Sequence, residues 1–184
     1  MTIYIHGFAS SGFGGKATVF KEHYKNEIFL PSLSYVPSLA LHTLEQLIQI
    51  FIENKQNVNL VGSSLGGYYA IFLANKYNLK AVLINPAITP YKTLDKIGMA
   101  TNYFDMSTFE VTKEHINFLK TLEVNEIKNQ KDLMVLLQKD DEVLDYKDAL
   151  NKLPNATLCV EEGGSHTYVG IQRHFNLIDK FFTN

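Results

Sequence analysis

Short apolar runs alternate along this chain with segments whose apolar positions recur every three or four residues. The runs Ile3–Ile5, Ile28–Leu30, Val58–Val61, Ala81–Ile84, Leu133–Leu137 and Thr157–Val160 predict strands, with Pro31 and Pro86 ending the second and fourth. Helical spacing predicts helices over Lys16–Lys25, Leu65–Tyr77 and about 170–182, the last with Ile171, Phe175, Ile178 and Phe182 on one face. A further helix runs from Ser38, read as its N-cap, to about Glu53, with Leu41, Leu44, Leu47, Ile48 and Phe51 aligned. Strands alternating with helices argue for an α/β fold, a mostly parallel sheet of about six strands with helices on both faces.

Residues 87–131 break this rhythm, because they exceed a normal crossover between two strands. They carry Tyr91, Met99, Tyr103, Phe104, Met106, Phe109 and Phe118. Two readings stand side by side: a long crossover with an extra helix, or a cap that walls an acyl pocket.

At 184 residues, 46% of them apolar, the chain reads as one domain spanning 1–184. The net charge is −2, Lys residues are scattered and Arg173 is the lone arginine, so no clustered basic face points to nucleic acid. The first residues lack a basic region followed by a long apolar one, and no stretch approaches the roughly 18–20 apolar residues of a membrane span. Cys159 is the single cysteine, which excludes an intramolecular disulfide and fits a cytoplasmic setting; it reads as a small buried hydrophobe.

Chemistry concentrates at Gly62-Ser63-Ser64-Leu65-Gly66, a G-x-S-x-G pattern between a predicted strand and a predicted helix. A turn that sharp strains the serine backbone, and side chains at the flanking positions would collide, so the glycines relieve crowding. The frame puts Ser64 at the apex, with Ser63 as its rival. A serine hydroxyl needs a base. His166 follows the last predicted strand and reaches the same carboxyl edge as Ser64. His23, His42 and His115 fall in helical patterns, His174 in the terminal helix reads as structural, and His6 as a brace for its loop. An acid should come after a strand between residues 64 and 166. Leu133–Leu137 leads into such a loop, where Asp141 is the first choice and Asp140 and Asp145 remain alternatives. Oxyanion donors are expected from the backbone N–H of Leu65 and of Phe8, in the loop after the first strand, where Gly7 permits close approach. No dinucleotide or P-loop glycine pattern and no metal-ligand spacing is present.

The segments Tyr4-Ile5-His6-Gly7-Phe8-Ala9-Ser10-Ser11, Gly62–Ala70, Asn85-Pro86-Ala87, Leu136-Leu137-Gln138 with Asp141–Tyr146, and Glu161–His166 resemble the YqiA-like esterases, small bacterial members of the α/β-hydrolase superfamily. The resemblance spans nearly the whole chain in order and is weakest over about 88–130. It implies a compact α/β-hydrolase fold with Ser64 as nucleophile, Asp141 as acid and His166 as base. It further implies acyl-ester hydrolysis, with acyl-CoA thioesters as a second substrate class, and no metal or organic cofactor. Family members often carry Thr-Gly before the acid, whereas this chain has Lys139-Asp140, which sets a second carboxylate beside the first.

The expectation is therefore a serine esterase acting through an acyl-enzyme on small-molecule esters, with no nucleic-acid or membrane partner. Its alternatives are an acyl-CoA thioesterase and a non-catalytic binding module on the same fold. Residues 87–131 offer aromatic and methionine side chains but few cations, which predicts neutral acyl groups and a pocket walled by Phe104 or Phe109.

Overall fold

The computed structural model of the chain describes residues 1–183. In chain order, β1 (Thr2–Ile5), α1 (Gly15–Tyr24), β2 (Ile28–Phe29), α2 (Pro37–Glu53), β3 (Asn59–Ser63), α3 (Leu65–Tyr77) and β4 (Lys80–Ile84) form the first half. There follow α4 (Pro90–Leu94), β5 (Met99–Thr101), β6 (Thr108–Glu110), α5 (Lys113–Thr121), β7 (Leu133–Gln138), α6 (Tyr146–Lys152), β8 (Thr157–Glu161) and α7 (Phe175–Thr183).

The central strands carry apolar side chains on both faces, so the sheet must be covered twice. On one face Tyr4, Val61, Val82, Ile84, Met134 and Leu136 pack against Ala17 and Phe20 of α1 and Phe175 and Ile178 of α7. On the other, Ile3, Ile5, Leu60, Leu83, Val135 and Leu137 meet α2, α3, α5 and α6. Burying each Leu or Ile fully contributes about 1.5–3 kcal/mol, so this alternation drives assembly of the two layers.

Six strands form the sheet in the order β2-β1-β3-β4-β7-β8, and each neighbouring pair is parallel. The order reverses between β1 and β3, because the chain first steps from β1 to β2 on one side and then builds outward on the other. At such a switch point the loops leaving the two strands diverge to opposite faces and open a crevice at their carboxyl ends. The loop after β1 and the turn after β3 therefore face each other across that crevice.

Four features depart from the sequence reading. Ser38 does not cap α2: Pro37 occupies the first helical turn with Val36 before it, and no side chain bonds the helix end. Pro fits that position because its missing N–H is one the helix leaves unpaired anyway. Residues 99–110 form an antiparallel hairpin of two three-residue strands, whose turn is held by Asn102 and Asp105 side chains accepting the Phe104 and Ser107 N–H groups. Helix α6 follows Asp145, whose carboxylate caps it through the Lys147 N–H at 3.0 Å. Cys159 is only half-buried, because β8 is an edge strand with its outer residues exposed. No helix among the described residues is long and apolar enough to cross a membrane.

Backbone packs closely on backbone where α3 crosses the end of β1. A Cβ at Gly66 would stand 2.0 Å from the Ile5 carbonyl oxygen and 2.7 Å from that of His6. Backbone cannot move aside there as a flexible side chain would. Gly66→Ala is therefore expected to cost about 3 kcal/mol of stability or to prevent folding. Gly15→Ala, which meets nothing within 4 Å at the start of α1, should be neutral or stabilising by up to about 1 kcal/mol. Urea unfolding midpoints of the two variants check this contrast.

Candidate active site

Ser64 stands at the apex of the turn between β3 and α3 with φ 55° and ψ −120°, a conformation that costs a non-glycine residue about 1–3 kcal/mol. The turn is held by main-chain bonds: Ser64 N–H donates to the Ile84 oxygen at 3.1 Å, and Ser64 C=O accepts from Gly67 at 2.9 Å and Ala87 at 3.0 Å. A Cβ at Gly62 would lie 2.3 Å from the Gly66 oxygen, so the two glycines of the motif face each other across the turn. The neighbouring Ser63 is buried, and its hydroxyl accepts from Lys16 Nζ at 2.7 Å instead.

His166, in the loop after β8, brings Nε2 to 2.9 Å from Ser64 Oγ and Nδ1 to 2.9 and 3.0 Å from the two Asp141 oxygens. The network assigns the ring proton to Nδ1, which donates to the carboxylate and leaves Nε2 to accept from the serine hydroxyl. Asp141 Oδ1 also accepts from the N–H groups of Val143 and Leu144, each at 2.9 Å. Burial pushes the Asp141 carboxyl up, but the bonds from His166, Leu144 and Val143 outweigh it and hold the group below its ordinary range. Asp140 is exposed and makes no hydrogen bond to the histidine, and Asp145 is occupied as the α6 cap. Of the three acids in this loop, only Asp141 is brought to His166.

The loop after β1 runs against Ser64: a Cβ at Gly7 would be 3.2 Å from that of Ser64. His6 braces this loop, its Nε2 accepting from Leu33 N–H at 2.9 Å and its Nδ1 bonding the Gly7 oxygen at 2.8 Å; burial lowers its pKa, which keeps it neutral. Among the described residues, no hydrogen bond engages the backbone N–H of Phe8 or of Leu65.

Residues to which the sequence reading assigns no role of their own hold the histidine in place. Buried Asn85 donates to the carbonyls of Ser165 at 2.9 Å and His166 at 3.3 Å, while its oxygen accepts from Gln138 N–H at 3.0 Å. Gln138 Oε1 accepts from Ser165 and Val169 N–H at 3.1 and 2.9 Å, and Nε2 donates to Glu161 at 3.0 Å. Glu142 takes the His166 N–H at 2.9 Å. Gly164 has φ +89°, and a Cβ there would strike Gln138 Oε1 at 2.1 Å, so the loop can pass the amide only as glycine. One signal was available for Gln138: a polar residue closing an otherwise apolar strand. Lys16 was legible only through topology, since α1 begins at the carboxyl edge of the sheet.

Two cavities flank the loop after β1. One of about 480 Å³ is lined by Ser64, His166, Thr167, Tyr103, Lys16 and Val19. A smaller one, about 70 Å³, lies behind the loop among Phe8, Leu65, Tyr69, Tyr35 and Phe109. Phe109 is buried, stacks on Tyr35 at 4.7 Å and meets Phe8 edge-on at 5.5 Å. Phe104, expected as a pocket wall, instead stacks on Phe13 at 6.0 Å and is 54% exposed. The largest cavity described, about 930 Å³ around His23, Asn57 and Asp179, lies at the opposite edge of the sheet and holds none of these groups. Among the described residues, no cluster of three His, Cys, Asp or Glu side chains is arranged to hold a metal ion.

A six-stranded parallel sheet with a strained serine turn at its switch point is the α/β-hydrolase fold. The chain belongs to the family described as "Uncharacterised protein family (UPF0227)", whose model matches residues 1–183, and this bears out the YqiA-like resemblance at the level of family. It is 27% identical to the UPF0227 protein YcfP of Salmonella arizonae over 191 aligned positions, covering 100% of this chain and 99% of that protein. Solved structures share the fold. Est1E from Butyrivibrio proteoclasticus gives a TM-score of 0.72 at 14% identity, over 99% of this chain and 85% of that one. Alpha/beta hydrolase domain-containing protein 10 from mouse gives 0.69 at 21%, over 97% and 89%. A monoacylglycerol lipase of Paleococcus ferrophilus gives 0.71 at 14%, over 99% and 93%.

Glu161 anchors the histidine loop from below, bonding Gln138, His174 and Arg173. Its hydrogen bonds from Arg173 bring its pKa down to about 2 from 4.5, despite the opposing effect of burial. A carboxylate more acidic when folded contributes stability that is complete above the unfolded value and lost as pH falls through the folded one. Wild-type stability is therefore expected to fall as pH drops from about 4.5 toward about 2. Glu161→Gln should cost about 1 kcal/mol at neutral pH and flatten that slope. Urea unfolding at a series of pH values measures both, and parallel curves for the two proteins would contradict the linkage.

Proposed function

We propose that the protein is a serine hydrolase that cleaves carboxylic esters of short, neutral acyl groups through an acyl-enzyme. The observation that carries this reading is the unbroken chain of hydrogen bonds from Ser64 Oγ through His166 to the buried Asp141 carboxylate. Ser64 attacks the acyl carbonyl while His166 Nε2 takes its proton, and Asp141 stabilises the imidazolium that forms. The Phe8 and Leu65 N–H groups, free of other acceptors, receive the oxyanion. His166 then returns its proton to the leaving alcohol and activates water to release the acid. The reaction draws on these side chains and water alone.

The two cavities divide the substrate. Proton delivery requires the leaving group on the His166 side, in the larger cavity. The acyl group then turns into the smaller one, with Phe8, Leu65 and Phe109 as apolar walls. In this reading the hairpin β5–β6 is a fixed wall of the acyl pocket. It is tied to the oxyanion loop by Tyr103 N–H on the Ala9 oxygen at 2.9 Å and Asn102 Nδ2 on the Ser10 oxygen at 3.2 Å.

Ser64→Ala is expected to abolish both ester turnover and covalent labelling by a fluorophosphonate, whereas Ser63→Ala should keep most of the labelling. Asp141→Asn should lower kcat by about 10³–10⁴-fold with the fold retained, and Asp140→Asn by less than about threefold. Labelling that survives Ser64→Ala, or equal small losses in the two aspartate variants, would contradict the assignment. Absence of both turnover and labelling in the wild type would favour a binding module.

The small cavity also sets acyl length. Its volume of about 70 Å³ is under half of the roughly 150 Å³ that admits a benzene ring. Among p-nitrophenyl esters, kcat/KM should peak between acetyl and butyryl and fall for octanoyl. Phe109→Ala should move the peak to longer chains, gaining up to about fourfold for each further CH₂ buried. An unchanged length profile in that variant would remove the hairpin from the acyl pocket. Acetyl-CoA and butyryl-CoA in the same series test thioesters.

A further inference from the structure

Lys16 belongs to the first turn of α1 and lines the same cavity as Ser64 and His166. Its only hydrogen bond among the described residues is to Ser63 Oγ, at 2.7 Å. Lys76, Lys113, Lys139 and Arg173 each contact a carboxylate, but no ion pair is formed by Lys16 among those residues. The carboxylate that acts on Lys16 through space is that of Asp141, which His166 already engages.

An ammonium is a costly way to brace a serine. It has three protons, of which Ser63 takes one, and a neutral donor would hold that hydroxyl without desolvating a charge. The surplus makes sense if a second, anionic partner arrives from the cavity. We propose that Lys16 receives an anionic group, such as a carboxylate or phosphate, on the leaving portion of the substrate. This assignment rests on the serine-hydrolase reading, because His166 and Lys16 share the cavity assigned above to the leaving group. The substrate class is then an ester between a short neutral acid and a hydroxy compound bearing an acidic group. A neutral acyl group and a charged alcohol are compatible because different cavities receive them.

The electrostatics agree with the geometry. Burial lowers the Lys16 pKa to about 8, with Asp141 opposing the shift, so the amine is mainly charged at neutral pH and loses that charge as pH rises further.

The test compares two acetyl esters of one shape, 3-acetoxybenzoate and the uncharged 3-acetoxybenzamide. At pH 7 wild-type kcat/KM should favour the carboxylate ester by about tenfold or more. In K16M the ratio should fall to about one, and K16R should restore a preference. In the wild type the ratio should decline as pH rises through about 8. A wild-type ratio near one, with Ser64-dependent turnover of both esters, would overturn the role of Lys16 and leave the hydrolase reading standing. A preference that persists in K16M would do the same. If neither ester is turned over, both readings fall together. Should K16M fail to fold, the wild-type ratio and its pH dependence still decide.

Discussion

The crossing of α3 over the end of β1 is the contact on which the rest of the site depends. Gly66 lets the helix backbone lie directly on the Ile5 and His6 carbonyls. That approach forces the turn after β3 to close within a single residue, and Ser64 takes up a positive φ as a result. The strain persists because neighbouring elements outweigh it: β4 supplies the acceptor for the Ser64 N–H, and the segment after β4 supplies a donor to its carbonyl. The same contact draws the loop after β1 against the serine. Hydroxyl and free N–H donors are thus brought together by one helix–sheet contact.

The histidine is positioned by a different principle. Its loop is short of regular structure, yet the N–H and C=O groups of Ser165, His166 and Val169 all meet side-chain amides or a carboxylate: Asn85 after β4, Gln138 at the end of β7, and Glu142 in the loop after β7. Asn85, just after β4, bonds β7 and the loop, and Gln138 bonds the loop and β8, so three strands and the loop are cross-linked through buried amides. A buried amide left unpaired costs about 1–3 kcal/mol, which makes any displacement of the loop unfavourable in proportion to the bonds it breaks. The imidazole is therefore aimed mainly by the core of the sheet, and its aim is preset before substrate arrives.

Much of this was legible in the sequence. Strand alternation, the glycine frame around Ser64 and the order serine, acid, histidine are local or ordinal signals, and they survive without coordinates. The geometry around Asp141 shows why position alone left three candidates open. Asp140 and Asp145 differ from Asp141 in which backbone N–H groups curl toward them, a property of the loop and not of residue type. The hairpin leaves no mark in the sequence because its strands have three residues each and lie largely exposed, so no periodicity develops. Lys16 was missed because its meaning arises from what lies opposite, across the switch point, on a segment 47 residues away. Phe104 and Phe109 look alike in sequence; stacking partners alone separate the exposed ring from the buried one.

The hairpin meets the loop after β1 partly through main-chain atoms, with the Tyr103 N–H on the Ala9 oxygen. Main-chain contacts are indifferent to the side chain that their residue bears. Substitutions along β5 and β6 can therefore reshape the small cavity while the backbone donors beside Ser64 stay where the glycine crossing puts them. Chemistry and selectivity are carried by separable parts of the fold, one bound to glycine and tightly constrained, the other open to drift. Under the proposed function, a lineage with this architecture can acquire new acyl preferences by changing a few hairpin side chains, without passing through forms that have lost the reaction.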